Sequence, residues 1–342
     1  MQLRALPPAD LVAPRVWTSS QSPLTRFWSD VPACIERTVS CEFRNRLDLG
    51  AGTNMTPEVQ AIARRFGPAV AQWSRIELRD AIERVLRREG LPPIGKEFQA
   101  HNERVDAVCE HLLDSGDMPL PTTLASWLRQ LASANLIEVW PGSSTDSLFL
   151  KNRVAVPPCT SDPFDSLSSR LHQRLGKGAP VGLFTDNHGE VVFDTAFLSW
   201  VLRVYAVPVC AFAKSQAVET DCSVASVRAL WRRMHHEDRV RVVATGSRVQ
   251  GNRLDRLSAK AEAHLRHIKA KGGLLIVKGV ANLDSMIGLR LDMLFLFAAK
   301  GARTSARFEV APDSLCGLWV PAGKSCHHTL SRFVYQPVCR AL

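Results

Sequence analysis

The stretch "VGLFTDNHGEVVFD", residues 181–194, decides how the rest of the chain is read. A run of strand length, apolar throughout, stops at Thr185-Asp186-Asn187. Gly189 follows, and apolar side chains then return at helical spacing through Val192, Ala196, Trp200 and Val201. A strand with no polar alternation is buried on both faces, which is the mark of a parallel sheet covered by helices. The same texture recurs in "YAVPVCAFA", "RVRVVATG", "LLIVKG" and "MLFLFAAK". Helical stretches such as "SVASVRALWRRMHHE" and "DRLSAKAEAHLRHIKAKG" lie between them. This alternation predicts an α/β protein, a three-layer α/β/α sandwich around a mostly parallel sheet.

Upstream the pattern is different. Residues 1–30 read as irregular. From about 56 to 137 the spacing is helical, with "EFQAHNERVDAVCEHLLDSG" and "PTTLASWLRQLASANL" as two of the helices and "LIEVW" as the one strand-like run. Between 141 and 180 the segments "PGSSTDS", "PPCTSDPFDS" and "GKGAP" read as a junction rich in Pro, Ser, Gly and Asp. The expected organisation is therefore an N-terminal irregular and helical region, 1–140, followed by an α/β domain, 141–342.

Bulk properties narrow the function classes. Of 342 residues, 46% are hydrophobic, enough for one large core or two ordinary ones. The formal net charge of +10 suits phosphorylated substrates, nucleic acid or an anionic surface. Nine cysteines without a CxxC read as reduced thiols rather than a disulfide framework. No run approaches the ~18–20 apolar residues of a membrane span. The start of the chain lacks the apolar core of a secretory signal, and Pro7, Pro8 and Pro14 break an amphipathic presequence helix. The expected location is cytoplasmic, with a mitochondrial one as the alternative.

The strand ends carry the chemistry. They supply Asp186 and Asn187, then Gly246, then Lys278 and Gly279 with Asn282 shortly after, and finally Lys300. In an open parallel sheet all carboxyl ends lie along one edge, where ligands bind. One edge would then hold an acid, two amides and two ammonium groups. Carboxylate and amide oxygens suit Mg²⁺ or Mn²⁺, lysines neutralise phosphate, and glycines let backbone N–H groups approach an anion. Taken singly, Asp-Asn-x-Gly after a strand also reads as a capped turn, and a strand-end lysine as a solvated side chain. The reading rests on several ends pointing the same way.

These residues resemble a known family. "FTDNHGEVVFD" is similar to the strand–Asp-Asn-Ala-Gly–acid–helix motif of the metal-dependent damage-control phosphatases, including the acidic-residue methyltransferase-like branch. "AVETDCS", 217–223, takes the place of the next motif and puts Asp221 on its acid. "LLIVKGVANLDSM" resembles the Lys-Gly-x-x-Asn motif, and "FLFAAKGA" the later strand ending in a substrate-contacting lysine. "VWPGSSTDSL" resembles a Trp-Gly-Asn-x-x-Asp segment and brings Asp146 toward the mouth. The resemblance covers roughly 140–320. It implies a helical part packed on an α/β/α sandwich, with Asp186, Asn187 and Asp221 as ligands of one divalent metal. Lys278, Gly279, Asn282 and Lys300 would bind phosphate or substrate, and the reaction would be hydrolysis of a phosphometabolite such as a sugar phosphate. The chain departs from the pattern at His188, Val280, Leu283, Ser143 and Phe297.

Two functions follow. One is a phosphatase using Mn²⁺, Mg²⁺, Co²⁺ or Ni²⁺, with backbone donors near Gly246 and with His188 as a further acid or substrate contact. The other is a non-catalytic descendant that uses the fold and basic stretches such as "WRRMHHEDRVR" in an RNA- or protein-containing assembly. Cys326-His327-His328 fits no standard zinc module, adjacent His235 and His236 point apart on a helix, and "GKG" at 176–178 precedes a strand and so is not a P-loop.

Overall fold

The computed structural model describes residues 98–137, 144–155, 164–234, 240–248, 251–252, 254–286, 289–322 and 333–336. The helical stretch expected at 56–90, the Cys-His-His run at 326–328 and the histidine pair at 235–236 lie outside these residues.

Helices α1 (Gln99–Asp114) and α2 (Leu124–Ala134) come first, then α3 (Ser147–Val154) and α4 (Asp165–Leu175). Strand β1 (Val181–Phe184) leads into α5 (Glu190–Tyr205), β2 (Val209–Ala213), α6 (Val224–Arg233) and β3 (Val240–Ala244). The chain continues through α7 (Ala259–Ala270), β4 (Leu274–Lys278), α8 (Val280–Met286), β5 (Asp292–Ala298) and α9 (Gly301–Phe308). Strands β6 (Leu315–Val320) and β7 (Phe333–Gln336) close the order. All seven strands form one sheet, ordered β3-β2-β1-β4-β5-β6-β7. The first five are parallel, and β6 and β7 join antiparallel to β5 and to each other.

The apolar runs become strands because both sheet faces are covered, and alternate residues sort into two cores. Val181, Leu183, Leu274, Ile276, Leu294 and Leu296 pack with α1, α2, α4, α5 and α6. Phe184, Phe212, Leu275, Val277, Phe295 and Phe297 pack with α7, α8 and α9. This is the three-layer sandwich. Local signals set the helix starts: Thr123 and Ser223 each form a reciprocal capping box with the serine three residues on.

Two expectations are corrected. Leu136 and Ile137 of "LIEVW" are not strand: with Asn135 they close a 3₁₀ turn that finishes α2. The polar stretch 141–180 contains two helices. In α4, Leu167, Leu171 and Leu175 recur every fourth residue and are buried, a stripe hidden by the serines around it. Residues 138–143, around the expected boundary, lie outside the described set. Helices α1 and α2 before it and the sheet after it contribute to one hydrophobic core.

Candidate active site

The sheet order reverses between β1 and β4: the chain runs outward through β2 and β3 on one side and through β5, β6 and β7 on the other. The crevice beyond those two carboxyl ends is the ligand-binding place of such sheets. Past β1, the returning segment 218–223 lies against residues 186–188. Cys222 N–H donates to the Asp186 carbonyl at 2.8 Å, His188 N–H to the Thr220 carbonyl at 2.8 Å, and Asn187 pairs with Asp221 as an antiparallel bridge. Asp186, Asn187 and Asp221 are thereby brought together across 35 residues of sequence, and each is at least nine-tenths buried.

Each oxygen donor is held in place. Asp186 Oδ2 accepts from Asn135 Nδ2 and from Asn187 Nδ2, both at 3.2 Å. Thr220 Oγ1 donates to Asn187 Oδ1 at 2.8 Å, which fixes the amide and leaves that oxygen a second lone pair. Glu190, in the first turn of α5, accepts on Oε1 from Asn187 N–H and Asn135 Nδ2, each at 3.3 Å. Asn135 itself accepts from Ala298 N–H at the end of β5, tying α2 to the sheet edge. Gly279 completes the enclosure of Asp186: its φ is +77°, and a Cβ there would lie 1.8 Å from Asp186 Oδ2.

The lysines divide differently from the sequence expectation. Lys278 shares a sheet face with Leu274 and Ile276, so its side chain enters the α5 layer. There its Nζ meets Glu190 Oε2 at 3.1 Å and Asp194 Oδ1 at 3.0 Å, fully buried. Burial pulls its pKa down, but the Asp194 and Glu190 carboxylates outweigh burial and hold it above the ordinary lysine value. Burial pushes the Asp194 carboxyl up to about 7, against the pull of Lys278. Asp194 Oδ2 has no hydrogen-bond partner among the described residues.

Lys214, one residue past β2, is the ammonium beside the oxygen donors. Its Nζ lies 3.5 Å from Asp221 Oδ2 and donates to the Gly251 carbonyl at 2.5 Å and to Asn282 Oδ1 at 3.4 Å. Burial lowers its pKa, and Asp221 and Asp186 counter that only in part. Asn282 is wholly engaged: Nδ2 donates to the Thr185 and Lys278 carbonyls, while Oδ1 also accepts from Asn252 Nδ2 at 2.7 Å.

The remaining expected residues are dispersed. His188 is buried against α1, where its Nδ1 sits 2.7 Å from Asp106 Oδ2; Asp106 Oδ1 accepts from Gly189 N–H. Asp146 is exposed and caps α3 through Phe149 N–H. Gly246 N–H donates to Ser215 Oγ, and the glycine lies against Arg256 and Ser258. Lys300 stands half-buried at the start of α9, on the same sheet edge. Asn135, Lys214, Asp106 and Asn252 escaped the sequence reading, as did the joint hold of Glu190 and Asp194 on one lysine. Two carried usable signals: Lys214 ends its strand as Lys278 does, and Glu190 and Asp194 are four apart on one helix face.

Charge decides what this rim accommodates. Among the described residues, Asp186, Glu190, Asp194 and Asp221 gather with the buried ammonium groups of Lys214 and Lys278. Four carboxylates in a low-dielectric interior are costly to ionise together. Protonation of Asp194 or a divalent cation would each lower that cost. Two carboxylates and an amide oxygen are a hard donor set, of the kind that suits such an ion. Among the described residues no group of three His, Cys, Asp or Glu side chains gathers as metal ligands. Among the same residues no helix is long and apolar enough to cross a membrane.

An α/β/α sandwich with an oxygen-rich rim at its switch point is the class of protein defined here. Its fold is similar to that of a DUF89 family protein from Pyrococcus horikoshii, with a TM-score of 0.61, 15% identity, and coverage of 84% of this chain and 96% of that one. DUF89 is the damage-control phosphatase family, whose motifs the sequence resembles; at this identity the likeness is one of fold. No family model and no curated protein matches the sequence.

Proposed function

We propose that the chain is a metal-dependent phosphomonoester hydrolase acting on a phosphorylated metabolite of sugar-phosphate type, with a single Mn²⁺, Mg²⁺, Co²⁺ or Ni²⁺. The observation that carries this reading is the gathering of three buried oxygen-bearing side chains, Asp186, Asn187 and Asp221, at the switch point of the sheet. Asp186, Asn187 and Asp221 would hold the cation, which when bound would polarise a phosphoryl oxygen and acidify a water.

The protein's own part is positioning and charge, which is most of what phosphoryl transfer asks. Asn135 and Asn187 orient the Asp186 carboxylate, and Thr220 orients the Asn187 amide. Burial of these groups excludes bulk water, so their dipoles act in a poorly screening medium. Lys300 on the same edge supplies a positive charge for the substrate's phosphate.

The experiment is hydrolysis of p-nitrophenyl phosphate by the full-length protein across the four metals. Metal-dependent turnover that falls at least ~100-fold in Asp186→Ala is expected. No turnover with any of the four, there and on a set of sugar phosphates, sinks the reading.

A second reading, a non-catalytic scaffold in an RNA- or protein-containing assembly, is favoured by Lys214. An ammonium 3.5 Å from Asp221 already neutralises part of the charge that a cation would balance. That reading expects no turnover, together with RNA or protein that co-purifies and is released by salt.

A further inference from the structure

The two buried lysines at the switch point differ in their partners. Lys278 stands between two carboxylates at 3.0 and 3.1 Å, so its charge is consumed inside the protein. Lys214 has a different environment. Its close partners are neutral oxygens, the Gly251 carbonyl and the Asn282 amide, and its one carboxylate is Asp221 at 3.5 Å.

An ammonium has three N–H donors. One is taken at 2.5 Å, while those toward Asn282 and Asp221 span 3.4 and 3.5 Å, long for charged hydrogen bonds of ~2.7–2.9 Å. The ammonium is therefore held most closely by a neutral carbonyl, and it sits beside the oxygen-donor set.

The anchoring is built. Gly251, whose carbonyl takes the short bond, also accepts from Ser247 Oγ at 2.8 Å. Asn282 is clamped to the ends of β1 and β4 and receives Asn252 Nδ2. Asn252 is in turn held through its backbone N–H by Ser285 Oγ at 2.9 Å. Such a frame fixes the ammonium in place beside Asp221.

We infer that Lys214, held in position by Gly251 and Asn282, receives the phosphoryl group on this rim alongside Lys300, and that Lys278 does not. The inference rests on the proposed phosphate chemistry of the site and names the residue that would carry its anion recognition.

The test uses the full-length protein with inorganic phosphate as the probe, titrated calorimetrically with Mn²⁺ present and absent, in wild type, Lys214→Met and Lys214→Gln. Mn²⁺ binding, circular dichroism and p-nitrophenyl phosphate hydrolysis are followed in parallel. Phosphate affinity is expected to fall about tenfold or more in Lys214→Met, the loss of one hydrogen bond to a charged group. Lys214→Gln, which restores a neutral donor, falls less. Mn²⁺ affinity is expected to rise in both, because a positive charge beside Asp221 is removed.

Unchanged phosphate affinity with tighter Mn²⁺ binding would make Lys214 a mere counter-ion and overturn the inference while leaving the phosphatase reading intact. Phosphate binding that depends on Lys214, without turnover by any metal, upholds the inference and removes the phosphatase reading. A wild type that neither binds phosphate nor hydrolyses the ester overturns both. If Lys214→Met fails to fold, Lys214→Gln decides by the same affinities.

Discussion

Replacing Gly279 by alanine tests the placement of Asp186 most directly. Two costs add. The first is backbone: at φ +77° a residue with a Cβ is disfavoured by about 1–2 kcal/mol. The second is steric: the new methyl would lie 1.8 Å from Asp186 Oδ2, 2.4 Å from its Cγ and 2.9 Å from Oδ1. Ordinary contact begins near ~3.5 Å, so the carboxylate or the strand end must move by well over an ångström. Asp186 is poorly placed to yield, because Asn135 and Asn187 both donate to that same oxygen. Overpacking costs about 1–3 kcal/mol, and losing one hydrogen bond to a charged group roughly 1.5–3 more. The sum is about 4–8 kcal/mol, a large share of a domain's stability of ~5–15 kcal/mol. Gly178 provides the control: its φ is +76° and a Cβ there meets nothing within 4 Å, so Gly178→Ala should lose only the backbone cost. Urea unfolding followed by the fluorescence of the buried Trp127 and Trp231 reads both variants. If Gly279→Ala and Gly178→Ala lose the same stability, the close approach of Gly279 to Asp186 is wrong, and the enclosure of the carboxylate with it.

Four further outcomes follow from the buried charges. Lys278→Met strands Glu190 and Asp194 without a counter-charge and should lose ~3–5 kcal/mol, with part recovered when Asp194→Asn is added; chemical denaturation of the single and double variants measures this. Asp194 also gives stability a pH dependence. Its folded pKa of about 7 lies above the ordinary 3.8, so between these values the native state binds more protons than the unfolded chain. Its contribution is then greatest below pH ~4 and declines as pH rises toward 7, by up to ~4 kcal/mol, and Asp194→Asn should flatten that slope in thermal melts. Lys278, raised above its ordinary value, works in a different window: its contribution is present at and below the ordinary lysine pKa and is lost only as pH rises through the folded one. Asp106→Ala leaves Gly189 N–H and the His188 ring without their acceptor and should cost roughly 2–5 kcal/mol, read by melting and by faster hydrogen exchange at Gly189.

The sheet was legible because its parallel strands are buried on both faces, and a run such as "LLIVK" has no other economical fold. Antiparallel β6, "LCGLWV", has the same texture; with helix α9 between it and β5, as between the parallel strands, its reversed direction was not readable. At the site, the donors that follow β1 were legible because strand ends converge by topology. Asn135 was not: it lies 51 residues before Asp186 and 163 before Ala298, and only the packing of α2 on the sheet brings the three together. Asp106 reaches His188 across 82 residues for the same reason. Lys278 is instructive. Strand-end position placed Lys278 on the correct edge, but alternation along the strand, which puts it on the face of Leu274 and Ile276, decides where an ammonium points.

That alternation gives the Lys-Gly-x-x-Asn segment a role different from substrate contact. Lys278 turns inward and neutralises acids on α5; Gly279, having no side chain, clears the space that the Asp186 carboxylate fills; Asn282 fastens two strand ends and one wall of the Lys214 site. All three are framing tasks, so a change at any of them should move stability before it moves ligand affinity. Lys214 is arranged differently. Its strong bond is to a carbonyl and its ion pair is long, so its loss, which costs stability by leaving Asp221 without that ammonium, should also move phosphate affinity, as the loss of Lys278 should not. A site that bound anions through the segment after β4 would show the opposite pattern. The two patterns are separable in one set of variants, since stability and phosphate affinity are independent measurements on the same protein.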